Sequence, residues 1–464
     1  MAIDGNYLKQ QRTECGLEQD EIAKILGCKR ADVAQYESFP LQPLGTEHAE
    51  RLIDYVRTRE RERTRHPKEV LQDLIREIPA DRHSFSPNKI LAHPEKIVEL
   101  LKREDGIPVR PFLIEIHLTN TCGHNCPNCT FAAIQGDPEQ KVKQLALERV
   151  RSLLDELWKF GVRAVFWSGG GDPLCYPWAQ QVFEYAGAKG FKQILITNGS
   201  NLDKVDPSVL VKYFSTVRVS LDAQTDAVFA RAHGLTERYG FSPERAFEEF
   251  NRIQSNIKAL VRVLQSTPRA DRHPDIDRIG VGVSFLLRDI NKDEVVGFCT
   301  LARDGLGVQY AEIKPLVYER NDENDAMIRR ILTLELVQSI GLIRLQNRGN
   351  KLFRVFTLEH KLLDMLSDHY GKTYDKCWGH ALYPAIAADG GVYTCCLMIG
   401  KSELCYGNVN ELSFAQIWSG RKRREAVGKI NPRLCPVNCK LSETNKTLQI
   451  VMSARALPLI EFLN

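Results

Sequence analysis

Nowhere in the 464 residues does an uninterrupted apolar run reach the length of about eighteen that a membrane-crossing helix requires. The opening MAIDGNYLKQQRTEC lacks an apolar export core. No membrane partner is therefore expected, and the expected compartment is the cytoplasm. Charge of one sign is also scarce: 63 Lys and Arg oppose 59 Asp and Glu, a formal net charge of +4. Any nucleic-acid footprint must then be local. Internal repeats and low-complexity tracts are missing, which removes solenoids and fibrous arrays. With 43% hydrophobic residues the chain can build packed cores. Set against roughly 100–200 residues per domain, its length calls for two to four of them.

Cysteine, by contrast, occurs thirteen times. In a small secreted domain that number would mean disulfides, but in a long chain without an export core it points to metal binding or catalysis.

Residues 1–64 are expected to form an all-α module, 65–108 a helical linker, 109–320 the main catalytic body, 321–375 a helical connector and 376–464 a small cysteine-rich α+β domain. Between Tyr7 and Glu37, apolar residues at helical spacing are broken by Gly16 and Gly27. Three short helices follow, with Leu8, Leu17, Ile22, Ala23, Leu26, Val33 and Tyr36 facing one core. Gln19 opening the second helix and Glu37 closing the third make this segment resemble the helix-turn-helix of the phage-repressor (Xre) family. RTRERERTR, from Arg57 to Arg65, reads as a solvated helix or, alternatively, a phosphate-binding strip, and Lys68 to Ile78 as a helix.

From Phe112 to Pro315, short apolar strands alternate with amphipathic helices. The strands end at Leu118, Ser168, Thr197, Leu221, Leu287 and Lys314. Such alternation argues for an α/β fold built on a parallel sheet. Six units are too few for the usual eight-stranded closure, so a partial (β/α)6 TIM-like barrel is expected.

Cys122, Cys126 and Cys129 sit in LTNTCGHNCPNCTF, directly after the first strand, at the end where barrels place their sites. Three close thiolates can hold three irons of a [4Fe–4S] cube and leave the fourth open. A structural zinc site would need a fourth ligand, for which His117 or His124 is at hand. C-x3-C-x2-C after the first strand resembles the radical S-adenosylmethionine (radical SAM) superfamily. The resemblance implies that the open iron takes S-adenosylmethionine, whose cleavage yields a 5′-deoxyadenosyl radical. The residue before the last cysteine, often aromatic in that family, is Asn128 here, and Phe131 is expected to take over the adenine side. WSGGGDPL resembles the family's Gly-Gly-Glu motif. By that resemblance Gly169, Gly170 and Gly171 meet the methionine amino group, with Asp172 in place of glutamate. Ser220, Asp222 and Arg231 match positions that hold ribose and the methionine carboxylate, and Thr197 and Asn198 carry a similar case. Alone, each of these also reads as a cap, a turn residue or a surface charge.

Cys377, Cys395, Cys435 and Cys439 can supply four thiolates to a second site, either iron–sulfur or zinc. DGGVYTC reads as a β-hairpin with Asp389 and Gly390 at its turn and Cys395 on the returning strand. C-x12-G-x4-C, then GNV and a final cysteine pair, resembles the SPASM and twitch extensions of radical SAM enzymes and implies one auxiliary [4Fe–4S] cluster. Cys396 and Cys405 are left as core thiols, alternative ligands or hydrogen-atom donors.

The expected activity is hydrogen-atom abstraction leading to oxidation, dehydration or epimerisation. The preferred substrate is a small molecule of aminocyclitol or aminoglycoside type, with a peptide as the alternative. An external electron donor such as flavodoxin or ferredoxin is implied, and a homodimer is admitted. A DNA-binding regulator whose clusters sense redox state is the rival class.

Overall fold

Backbone pairing in the middle of the chain follows the alternation of its side chains, because residues two apart share one face of a strand. The computed structural model describes residues 5–14, 18–38, 44, 47–52, 89–101, 109–236, 239–318, 321–347, 349–366 and 372–454. It divides into two units, Met1–Val70 and Leu71–Asn464.

The first unit contains α1 (Gly5–Glu14), α2 (Gln19–Leu26) and α3 (Arg30–Ser38). At the start of α2, Glu18 and Glu21 form a reciprocal capping box. At its end, Gly27 takes the left-handed conformation (φ 71°) that closes a helix without a Cβ penalty. Leu8, Ile22, Ala23, Leu26 and Val33 share one core with Leu44 and Leu52, and Tyr36 packs partly against it. Leu17 lies outside the described residues, as do the Arg57–Arg65 stretch and the Lys68–Ile78 helix. Glu37 joins all three helices, accepting from Arg12 Nε at 2.6 Å and from Gln19 Nε2 at 2.7 Å.

In the second unit, β1 (Leu113–His117), β2 (Ala164–Ser168), β3 (Lys192–Thr197), β4 (Phe214–Ser220), β5 (Gly280–Leu287) and β6 (Tyr310–Pro315) are parallel neighbours in chain order. The six expected strands are thus present. Between them run amphipathic helices such as α4 (Leu147–Phe160), which buries Val150, Leu153, Leu154 and Leu157. Each such leucine contributes roughly 1.5–3 kcal/mol.

Two differences from expectation bear on the site. The 321–375 connector is not purely helical: Arg354–Thr357 forms β7, parallel to β6. Its Phe356 ring lies 5.8 Å from that of Tyr310, so tertiary packing supports a strand too short to announce itself by pattern. Among the described residues, the cysteine-rich tail also has no sheet of its own. β8 (Ala385–Ile386) pairs parallel to β1, and β9 (Gly391–Tyr393) and β10 (Cys405–Asn408) continue antiparallel from it, giving ten strands in the order β10-β9-β8-β1-β2-β3-β4-β5-β6-β7. The tail thereby extends the barrel wall beside the first cysteine loop.

Candidate active site

The carboxyl ends of β1 to β4 carry the first group of expected residues, as parallel strands with helical crossovers require. Cys122, Cys126 and Cys129 lie on the loop after β1, and this loop aims backbone N–H groups at sulfur. His124 N reaches Cys122 Sγ at 3.5 Å and Phe131 N reaches Cys129 Sγ at 3.4 Å. Asn198, at the end of β3, points its amide at Cys122 Sγ from 3.6 Å. Burial raises all three thiol pKa values, that of Cys126 to about 12, and the neighbouring Cys129 adds to the effect at Cys126. Three soft, mutually repelling donors with N–H groups already facing them suit an iron–sulfur cluster.

The nearest nitrogen donors are already engaged. Ligand atoms of His124, Cys126 and His233 lie within 4.8 Å of one another, the arrangement a zinc ion would use. His233 Nε2, however, donates to Leu221 O at 3.2 Å, so its Nδ1 carries the lone pair and accepts from His124 Nδ1 at 3.0 Å. Burial keeps His233 neutral by lowering its pKa. His124 Nε2 faces Ser200 at 3.0 Å and Glu249 at 3.3 Å. His117, the other imidazole considered for zinc, turns its Nε2 to Glu115 at 3.1 Å and sets its ring edge-on to Phe131 at 4.9 Å.

The glycine turn after β2 is stitched to the cysteine loop, with Gly171 N donating to Thr119 O (3.2 Å) and Asp172 N to Thr121 O (2.9 Å). A Cβ on Gly170 would stand 2.2 Å from Asn120 Oδ1, and one on Gly169 2.9 Å from Gly171 O. Here glycine is required by the approach of one loop to another. Asp172 turns inward and accepts from Leu174 N (2.9 Å), Thr197 Oγ1 (2.9 Å) and Asn198 N (2.7 Å). Its carboxylate therefore faces protein donors rather than open space, and it positions Asn198 and, through it, Cys122. Asp172→Ala is expected to leave these donors unsatisfied and to lower stability by about 3 kcal/mol in urea unfolding, with partial loss of bound iron. Asp172→Asn should lose less.

At the end of β4, Ser220 is half-buried. Asp222, in a left-handed conformation (φ 58°), accepts from Leu286 N at 2.7 Å and pairs with Arg288 at 2.8 Å. The arginine brought to this end is thus the buried Arg288, which the sequence reading missed, and not Arg231, which is exposed in the last turn of Asp226–Ala232.

Cys377, Cys395, Cys435 and Cys439 also converge. Burial raises each pKa, and the thiols raise one another across the set. Asn445 Nδ2 faces Cys377 Sγ at 3.5 Å and Leu441 N faces Cys439 Sγ at 3.4 Å. Four buried thiols suit a closed cluster. Cys395 lies two residues past β9, at the cap of a short 3-10 turn, instead of on the returning strand. The two leftover thiols separate. Cys405 is on the edge strand and donates to Gly407 O at 3.4 Å, whereas Cys396 is buried beside Glu115.

The lumen-facing side of the parallel strands carries polar side chains that escaped the sequence reading. Register places Glu115 and His117 (β1), Arg218 and Ser220 (β4), Ser284 (β5), and Glu312 and Lys314 (β6) on this inner face. Tyr383 OH donates to Glu115 at 2.6 Å and Lys440 Nζ at 3.2 Å. Burial opposes ionisation of Glu115, yet Lys440, His117 and Tyr383 hold its pKa well below the usual carboxylate range. The available signal was charge at alternate positions of otherwise apolar strands: E-x-H in LIEIH, R in FSTVRVS and E-x-K in YAEIKP.

Comparison with known proteins adds independent findings. Residues 116–264 match the Radical SAM superfamily, and residues 377–440 match SPASM, an iron-sulfur cluster-binding domain. An S-adenosylmethionine-dependent nucleotide dehydratase of Selenomonas ruminantium is 20% identical over 268 residues, 57% of this chain and 94% of that protein. An AdoMet-dependent heme synthase of Methanosarcina barkeri is 22% identical over 318 residues, 66% and 82% of the respective chains. The crystal structure of Streptococcus suis SuiB bound to S-adenosylmethionine superposes with a TM-score of 0.50 at 16% identity, covering 78% of this chain and 76% of that one, a likeness of fold.

Proposed function

We propose, from the premise that the chain is an enzyme of the radical SAM superfamily with an SPASM iron–sulfur domain, that it abstracts a hydrogen atom from a small molecule held in the barrel lumen. When bound, the [4Fe–4S] cluster and S-adenosylmethionine supply reductive C–S cleavage and a 5′-deoxyadenosyl radical. Cys122, Cys126 and Cys129 would hold that cluster, and Cys377, Cys395, Cys435 and Cys439 the auxiliary one. The observation that carries the reading is a three-thiol loop directly after β1 together with a four-thiol tail whose strand β8 pairs with that same β1.

The chain's own residues bind, orient and exclude water. Asn198 and the N–H groups of His124 and Phe131 orient the sulfurs of the first set. The glycine turn fixes the loop, and its backbone, with Ser220, offers polar contacts for the methionine end. Tyr383 packs edge-on against Phe166 at 5.9 Å, and Lys440 lies 5.0 Å over the same Phe166 ring, closing the wall between β8 and β2. Cys396, buried beside Glu115, would serve as the hydrogen-atom donor in preference to Cys405, whose thiol faces Gly407 O on the edge strand.

Oxidation, dehydration and epimerisation all fit this arrangement. Relatives named as nucleotide dehydratase and heme synthase support a small substrate over a peptide. The test is anaerobic reconstitution followed by dithionite and S-adenosylmethionine, with 5′-deoxyadenosine formation expected. Its absence from protein that holds its iron would sink the reading. Cys439→Ala should lose roughly four irons per chain, keep 5′-deoxyadenosine formation and lose substrate turnover.

The Met1–Val70 unit is proposed as a helix-turn-helix used for docking or dimerisation. The regulator alternative requires salt-dependent binding of duplex DNA by the full chain.

A further inference from the structure

We propose that the lumen recognises its substrate through an oxyanion, a carboxylate or a phosphate, paired with Lys314 on β6. The proposal rests on the reading above only in taking the lumen as the substrate's place.

The charges of the inner face can be matched one by one. Arg218 NH1 binds Glu312, and Lys440 binds Glu115. Asp222 and Arg288 form a closed pair at the end of β4 and β5. Lys361 is balanced first by Glu312, then by Cys439 and Glu443, with Lys440 opposing. Lys314 remains: among the described residues its ammonium has no hydrogen-bond or ion-pair partner. It sits in register with Leu286, one lumen position beyond Glu312, which Arg218 has already taken.

Unsatisfied donors surround it. Arg218 Nε and Ser284 Oγ are buried without partners, and Ser284, fully enclosed, stands in register with Ser220 on one side and Glu312 on the other. Buried donors are ordinarily satisfied, so a cluster of orphans around an unpaired cation marks the place of an absent acceptor. A polyammonium molecule would set a further cation against the unpaired Lys314, which speaks against the aminoglycoside substrate expected from sequence.

Titration agrees. Burial, and then Arg218, lower the Lys314 pKa to about 7, with Glu312 and Asp222 opposing and Lys440 assisting. An anion favours the ammonium form, so binding takes up a proton, and affinity falls as pH rises above about 7.

The experiment is calorimetric titration of the reconstituted enzyme, saturated with S-adenosylmethionine, with tripolyphosphate and separately with glutarate. Saturable binding of one probe is expected, tripolyphosphate marking a phosphate substrate and glutarate a carboxylate. Lys314→Met and Lys314→Gln, checked for unchanged iron content and circular dichroism, should weaken it roughly 10- to 100-fold. Binding of neither probe, equal binding by the variants, or displacement of S-adenosylmethionine by the probe would each overturn the proposal. The last result would make Lys314 a contact for the methionine carboxylate. 5′-Deoxyadenosine is read in the same wild-type samples. Probe binding without it would defeat the radical reading alone, and its formation without probe binding would defeat the oxyanion proposal alone.

Discussion

Cys126→Ala is expected to abolish 5′-deoxyadenosine formation and to reduce iron from roughly eight per chain to roughly four. On the proposed ligand set, three thiolates would hold three corners of the first cube, and removing one would leave a corner without its ligand. Among the described residues Cys175 lies against Gly123 and Cys122, and the group nearest Cys126 that could step in is an imidazole. His233 Nδ1 lies 3.6 Å from Cys126 Sγ, but it already accepts from His124, and its other nitrogen is tied to Leu221 O. Recruiting it would break a buried chain that runs through His124 to Ser200 and Glu249. The auxiliary set is on a different part of the chain and should keep its iron, which separates loss of one cluster from loss of the fold. Iron analysis and the ultraviolet-visible spectrum check the first outcome, and chromatography of the S-adenosylmethionine products checks the second. Retained cleavage in Cys126→Ala would remove the basis of the proposed function.

The parts of this molecule that were legible in the sequence are those in which one local rule decides. Six strands could be read because each is an apolar run bounded by turn residues, and the cysteine loop because spacing alone limits what three thiols can do. β7 could not, since RVFT is a strand only by virtue of β6 and Tyr310. The continuation of β1 into β8 depends on a contact between residues about 270 positions apart in sequence. Arg231 is the arginine the sequence suggests because it stands in the segment after β4 that carries the other expected contacts, and Arg288 carries no such signal. Burial and the pairing with Asp222, which single out Arg288, are tertiary facts. Asp172 and Asp222 were read as ligand contacts, and both carboxylates turn to protein donors. Sequence identifies which acids stand near such a site but not which way they turn.

Gly171→Ala is expected to be the most damaging single methyl addition in the site. A Cβ there would stand 2.1 Å from Thr121 O and 2.4 Å from the carbonyl carbon of Asn120. These are backbone atoms held by hydrogen bonds from the turn itself, so no side chain can rotate away to make room. Relief requires the cysteine loop to retreat from the glycine turn. Stability should fall by roughly 3 kcal/mol, the upper part of the range for overpacking. 5′-Deoxyadenosine formation should fall about a hundredfold, since a displacement near 1 Å at a reacting centre has that effect. Gly123→Ala supplies the control, for it lies between Cys122 and His124 in the same loop with nothing within 4 Å of its added methyl. Its stability should stay within about 0.5 kcal/mol of wild type. Urea unfolding of both variants, with iron content measured alongside, distinguishes a clash between loops from a general intolerance of the cysteine loop to bulk. If the two variants unfold alike, close approach of the turn is not what makes glycine necessary at position 171.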